Sequence, residues 1–318
     1  PDPATGLGGD VLIHALPIFH VHGLFVACHG ALLNGSKMLW FGRFDPKASI
    51  ARMAGATVMM GVPTLYVRML AEPTLTREAV RHMRLFISGS APLLVETFDS
   101  WTERTGHVLL ERYGMSETVM LTSNPCRPQD GQRRRGTVGP ALPGVGLRVV
   151  DDAGAPCAAG SIGHIQVRGP NVFAGYWRMP EKTAEEFTAD GWFKTGDVGL
   201  VAADGYVTIV GRSKDLIISG GYNIYPAEIE GFLNDMPGVA ESAVIGVPHP
   251  DFGEGVVAVV VAQPGATLDA AAMVASLKAN IANFKVPKHL FVVADLPRNA
   301  MGKVQKNLLR EQHKALFN

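Results

Sequence analysis

The sequence predicts an α/β protein. It should comprise part of an open-sheet lobe with helices, a β-rich subdomain, and a small α+β C-terminal domain joined by a hinge. Three observations predict this. Short apolar runs alternate with helical segments from Asp10 to Leu110, the pattern of a parallel sheet with helices packed on it. The polar, Pro/Gly-punctuated stretch CRPQDGQRRRG (126–136) then separates that region from a series of strand-like segments. Finally, GRSKDLIISGGYNIYPAEIE (211–230) joins charged residues, a β-rich run, paired glycines and a helix start. Glycines there permit backbone angles closed to other residues, so the chain can swing. The expected domains are 1–211, with 136–211 as the β-rich part, and 212–318.

In order, VLIHALPIF is expected to be a strand that runs into a loop at His20–Gly23. Asp45 should cap a helix that has Pro46 at its first position. TVMMGV and RLFIS are continuous apolar runs, as buried parallel strands are. Pro63 starts a short helix, and LLVETFDSWTERTG is an amphipathic helix ended by Gly106. HVLLERYG is the next strand. Ligands of such sheets bind in loops beyond the strand carboxyl ends, where SGSAPL (88–93) and YGMSET (113–118) should fall. LRVVD, GHIQVRG and YVTIVGR read as strands, with a hairpin turn at Asp204-Gly205. Past the junction, EIEGFLND, AESAVIGV, GVVAVVVA, LDAAAMVASLKANI and HLFVVADL alternate helix and strand.

Composition narrows the class. The 318 residues are 47% hydrophobic, enough to fill two or three cores. A formal net charge of +0 argues against nucleic acid as the main partner. Three cysteines without a CxxC pair point to a reducing compartment and neither a disulfide framework nor a zinc site. No apolar run approaches the ~18 residues of a membrane span. The first residue is Pro1 and the opening stretch starts as if in mid-domain. A truncated chain is therefore expected, with a cytoplasmic location and any organellar transit peptide out of view.

The junction resembles the hinge segment of the adenylate-forming enzymes, which include acyl-CoA synthetases, luciferase-like enzymes and peptide-synthetase adenylation domains. SGSAPL, ERYGMSET (111–118), GYWRMPEKT (175–183), GWFKTGDVG (191–199) and PRNAMGKVQK (297–306) support the resemblance in the family's order. Together they cover nearly the whole chain. No Ser/Thr/Gly-rich phosphate loop like the family's is found. Within the family, GVPTLYVRML, ERYGMSET and LPRNAMGKVQKNLLR are most similar to malonyl-CoA synthetases.

The resemblance implies ATP and CoA as co-substrates, Mg2+ as metal, and a small carboxylic acid as substrate. It places the nucleotide against Gly89, Ser90, Ala91, Glu111, Arg112, Tyr113 and Gly114, and its ribose on Asp197 and Arg212. Glu117 is implied as the Mg2+ ligand and Ser116 as a donor to the α-phosphate; without the resemblance, the pair would simply begin a helix. His20 is implied near the acyl carboxylate, with Ser88 and His22 at the acyl pocket. Lys303 would stabilise charge at the α-phosphorus, and a lysine acetyltransferase and deacetylase acting on it are expected partners. Lys214 is the implied hinge, and Gly220 and Gly221 the path of the CoA arm.

Arg68 is a lone cation in the apolar run TVMMGVPTLYVRML. A fatty-acid pocket has little use for it, whereas a second carboxylate would satisfy a guanidinium. Malonate or methylmalonate is thus expected. The bland alternative is an i,i+4 pair with Glu72 worth ~0.3–0.5 kcal/mol, which would leave His22 and Arg112 as the next candidates. The rival readings are a ligase for a monocarboxylic or aryl acid and an inactive nucleotide- or partner-binding fragment.

Overall fold

The computed structural model describes residues 9–299 and 302–317. It divides into two compact units. The first runs up to Thr195 and adds Gly199–Ile209; the second takes Gly196–Val198 and the chain from Val210 onward. The expected boundary at residue 211 falls two residues later, inside a strand that runs from Val207 to Arg212.

The first unit opens with β1 (Val11–His14), a π-helical turn (His22–Cys28) and α1 (His29–Leu33). A loop was expected where this turn begins. Gly23 explains the tight path, because a Cβ there would sit 2.2 Å from the Pro17 carbonyl oxygen. β2 (Lys37–Trp40), α2 (Pro46–Arg52), β3 (Val58–Gly61) and α3 (Pro63–Leu70) follow. Asp45 does cap α2, accepting from the Ala48 N–H at 2.7 Å. Next come β4 (Leu85–Ser88), α4 (Val95–Thr105), β5 (Leu110–Tyr113) and β6 (Thr122–Ser123). Gly106 ends α4 at φ 77, a left-handed cap.

These strands form a sheet in the order β2-β1-β3-β4-β5-β6. It is parallel from β2 to β5, and β6 is antiparallel. β3 and β4 are buried at every position, as strands covered on both faces must be. Trp101 of α4 packs edge-on against Tyr66 and Phe86 to tie helix and sheet together.

The β-rich part holds β7 (Gly146–Val150), β8 (Gly163–Arg168), α5 (Pro180–Glu186), β9 (Phe193–Val201) and β10 (Val207–Arg212). The sheet order is β10-β9-β8-β7. Leu121, Val138, Ile165, Val167, Phe193 and Val207 are its buried core.

The second unit continues with β11 (Ile217–Ser219), β12 (Tyr222–Ile224), α6 (Pro226–Asn234), β13 (Val239–His249) and β14 (Gly253–Ala262). α7 (Ala270–Asn280), β15 (His289–Val293) and α8 (Lys306–His313) complete it. β14 lies inside the sheet, between β11 and β13 in the strand order, with β15 also paired to it. Its apolar run serves two cores. Val256, Ala258 and Val260 pack on one side with Ile229, Leu233 and Leu277, while Val257 and Val259 pack on the other with Leu296 and Leu309. The strand period of two places successive side chains on opposite faces.

Candidate functional site

In the first unit the site forms where β4 and β5 end, as expected of an open parallel sheet. Ser88 closes β4 fully buried, and among the described residues its Oγ has no hydrogen-bond partner. Gly89 is confined: a Cβ there would lie 3.4 Å from the Arg112 carbonyl oxygen and 3.5 Å from His22 Cε1. Ser90 adopts φ 70, a conformation uncommon outside glycine. Its hydroxyl is 3.0 Å from His22 Nδ1. Ala91 follows, half-buried.

His22 is buried, and its N–H donates to His20 Nδ1 at 3.2 Å. Burial, with the charges of Arg112, His20 and His14, pushes its pKa down to about 3. The imidazole is therefore neutral at physiological pH, able to donate with one ring nitrogen and accept with the other.

β5 splits its side chains between functions. Glu111 lies opposite Ser88 in the register and accepts from the Leu93 N–H at 3.4 Å. Burial raises its pKa to about 8, so at neutral pH it is mostly protonated and carries no charge. It holds the SGSAPL loop from beneath. Arg112 donates from Nε to Ser123 Oγ at 3.1 Å, and burial lowers its pKa. It lines a cavity of about 280 Å3 together with Val26, Val119, Met120, Ser123 and Leu142. A narrower recess shares Arg112 and reaches His22, Gly89, Ser90 and Gly114.

After β5 the chain folds tightly. A Cβ on Gly114 would meet the Val119 carbonyl oxygen at 2.2 Å, and Val119 adopts φ 58. For a β-branched residue this is a genuine outlier, of the kind that gathers at binding sites. Ser116 and Glu117 sit on this turn and no helix follows them, so they are not helix caps. Ser116 is exposed. Glu117 accepts from the Tyr176 hydroxyl at 3.1 Å. Tyr113 packs against the β-rich core.

Arg68 stands outside this cluster. It is exposed on α3 with its guanidinium 5.7 Å from the centre of the Phe44 ring. Glu72 does not pair with it. α3 ends at Leu70, and among the described residues no carboxylate lies within 4.0 Å of Arg68.

In the second unit Asp197 is buried and accepts from Arg212 Nε at 3.1 Å. Lys303 joins this pair. Its pKa is lowered by desolvation and by the Arg212 charge, with Asp197 opposing. Three motifs far apart in the chain thus converge. Ala300 and Met301 of PRNAMGKVQK lie outside the described residues. Gly302 has φ 74 and Lys303 donates its N–H to Asn299 Oδ1 at 3.0 Å. Lys214 is exposed on a 3-10 turn after β10. Gly220 and Gly221, at φ 59 and 82, form the two-residue turn between β11 and β12, which requires positive φ at both positions.

Sequence reasoning missed three contributors. Tyr176 lies in the quoted GYWRMPEKT motif yet has no role assigned there. Ser123 and Val119 carry no pattern of their own, because only the folded turn brings them to Arg112.

Comparison with known proteins gives consistent results. Residues 2–177 match the family model of the AMP-binding enzyme, and 228–303 match that of the AMP-binding enzyme C-terminal domain. The malonate–CoA ligase of Arabidopsis thaliana is 39% identical over 95% of this chain and 54% of its own length. The probable CoA ligase CCL8 of Humulus lupulus is 38% identical, with the same coverage. ATP-bound MatB from Rhodopseudomonas palustris is a structural neighbour with TM-score 0.95 and 58% identity, covering 98% of this chain and 61% of that one. The chain spans about half the length of these curated relatives.

Proposed function

Since the chain belongs to the AMP-binding enzyme family, we propose that it forms part of an ATP-dependent acid–thiol ligase acting on a short dicarboxylic acid, malonate before methylmalonate. Malonate attacks the α-phosphorus of ATP to give malonyl-adenylate and pyrophosphate. CoA thiol then attacks the acyl carbon, forming the thioester and releasing AMP. The observation that carries this reading is the meeting of Asp197, Arg212 and Lys303. A buried carboxylate suits two ribose hydroxyls, Arg212 steadies it, and the Lys303 ammonium supplies the point charge that a developing phosphoryl oxyanion needs.

In the first unit, neutral His22 with Ser90 offers polar groups without adding charge to a confined recess. His20 is the proposed partner of the reacting carboxylate, and Ser88 that of the acyl group. Gly89, Ser90, Ala91, Tyr113 and Gly114 are the proposed adenine surroundings, and Ser116 a donor to the α-phosphate. Mg2+, when bound, neutralises phosphate charge. Among the described residues no cluster of three His, Cys, Asp or Glu side chains is placed to cage a metal. Glu117 is therefore its proposed protein ligand, which fits an ion that takes one or two carboxylates and fills its remaining positions with phosphate and water.

The acid's second anionic group is inferred from Arg68, whose guanidinium has no carboxylate partner among the described residues. The test is thioester formation by the protein carrying this chain, measured with malonate, methylmalonate, butyrate and benzoate. The expected order places both dicarboxylates first. Preference for butyrate or benzoate would overturn the dicarboxylate reading.

A further inference from the structure

Lys303 stands where its own charge is disfavoured. Burial and the Arg212 guanidinium both lower its pKa, and Asp197 offsets them only in part. Electrostatic attraction therefore does not hold the ammonium there, and the backbone that carries it must do so. That backbone is a tight strap. Gln305 donates its N–H to the Pro297 carbonyl at 2.7 Å, Asn299 to the Lys303 carbonyl at 3.0 Å, and Gly302 to the Asn299 carbonyl at 2.9 Å. Gly302 takes φ 74, a conformation that favours glycine.

These bonds close the strap on itself, and Arg298 fastens it to the sheet. Its Nη1 donates to the Gly302 carbonyl at 2.7 Å, and its Nη2 donates to the Glu241 carboxylate on β13. One guanidinium thus joins a strand to the peptide immediately before Lys303. The register of β13 against β14 shifts between Val239 and Glu241, an irregularity of the kind that re-aims a side chain. Arg298 and Glu241 are each 27% exposed, and a partly exposed ion pair adds little stability. What it supplies is direction. The guanidinium fork is planar and rigid, so a carboxylate fixed on a strand sets the orientation of a loop carbonyl. Beyond Lys303, the ion pairs Lys306–Glu230 and Arg310–Asp215 tie down α8. The lysine is therefore anchored from both sides.

We propose that Arg298 and Glu241 are positioning residues for adenylate formation: the Arg298 fork clamps the Gly302 carbonyl to β13 and so sets where the Lys303 ammonium stands beside Asp197 and Arg212. The assignment rests on the acid–thiol ligase reading and adds to it two residues that act through Lys303 and not on the substrate.

Modification of the chain with trinitrobenzenesulfonate, which attacks neutral amines, tests the clamp without turnover when each lysine is followed against pH by peptide mass spectrometry. In Arg298→Ala and Glu241→Gln the midpoint for Lys303 should rise toward the ordinary lysine value, because the ammonium leaves its desolvated place beside Arg212. Lys285, paired with Glu228, should keep its midpoint. Arg298→Lys should recover only part of the change, since it keeps a charge for Glu241 but not the fork. If Arg298→Ala fails to melt cooperatively, Glu241→Gln carries the comparison. In the protein carrying this chain, the same variants should lose malonyl-adenylate formation roughly a hundredfold in kcat, the scale of a ~1 Å misplacement. Thioester formation from supplied malonyl-adenylate should stay within about twofold. An unchanged Lys303 midpoint, full recovery by Arg298→Lys, or equal loss of both half-reactions would overturn the proposal. If the unmodified protein forms no adenylate, the ligase reading fails, and the Lys303 midpoint still decides the clamp.

Discussion

Replacing Lys303 with alanine should abolish malonyl-adenylate formation, by about 10²–10³-fold in kcat, while thioester formation from supplied malonyl-adenylate continues. The magnitude is that of removing one preorganised group that stabilises charge in the transition state. The cause lies in the second unit, where Lys303 joins Asp197 and Arg212; the alanine variant keeps the Arg212–Asp197 bond and loses only the ammonium. Acetylation of Lys303 removes the same charge and should give the same result.

Gly221→Leu should reverse the pattern, sparing adenylation and blocking the thiol step, because a side chain on the β11–β12 turn would obstruct the proposed CoA path. A Cβ at Gly221 meets nothing within 4 Å, so the obstruction would be to the ligand and not to packing. Its φ of 82 adds strain, for which Gly221→Asn is the control, since asparagine tolerates this conformation. Separate assays of the two half-reactions decide the matter. If Lys303→Ala and Gly221→Leu lose the same half-reaction, the proposed alternation about Lys214 is wrong.

Arg68→Leu should cripple malonate use and permit weak turnover of butyrate. A charge-assisted hydrogen bond is worth about 1.5–3 kcal/mol, or roughly ten- to a hundredfold in kcat/KM. Arg68 is exposed, so a monocarboxylate meets little desolvation penalty beside it, and the preference for malonate should weaken and not invert. Steady-state kinetics with both acids measure this. Unchanged malonate kinetics would remove Arg68 from the substrate site.

Much of the fold was legible because its signals are local. Continuous apolar runs marked β3, β4 and β14, and Asp45-Pro46, Pro63, Gly106 and Pro226 marked helix ends where capping geometry leaves few choices. The π-helical turn at His22 was not legible. It depends on Gly23 passing against Pro17, a contact invisible in a linear pattern. β9 was missed because GWFKTGDVG is broken by Gly196 and charged residues, so its pairing in the sheet overrides a weak strand propensity. α8 was hidden inside a motif valued for its lysine.

The candidate site divides along the same line. Asp197, Arg212 and Lys303 stand in long motifs, and the structure brings them together. Ser116 and Glu117 look like a helix start, and only the fold places them on a turn with Tyr176 bonded to the carboxylate. Arg112 is a single letter in ERYGMSET. Its place beside Ser123 in the cavity wall depends on the folded turn.

The central claim is that the acid is activated as an adenylate before CoA takes part. Isotope exchange between pyrophosphate and ATP, measured in the protein carrying this chain without CoA, tests it most directly. The account predicts exchange that requires malonate and is lost in Lys303→Ala. Exchange that proceeds without malonate, or thioester formation from malonate with no such exchange, would contradict it.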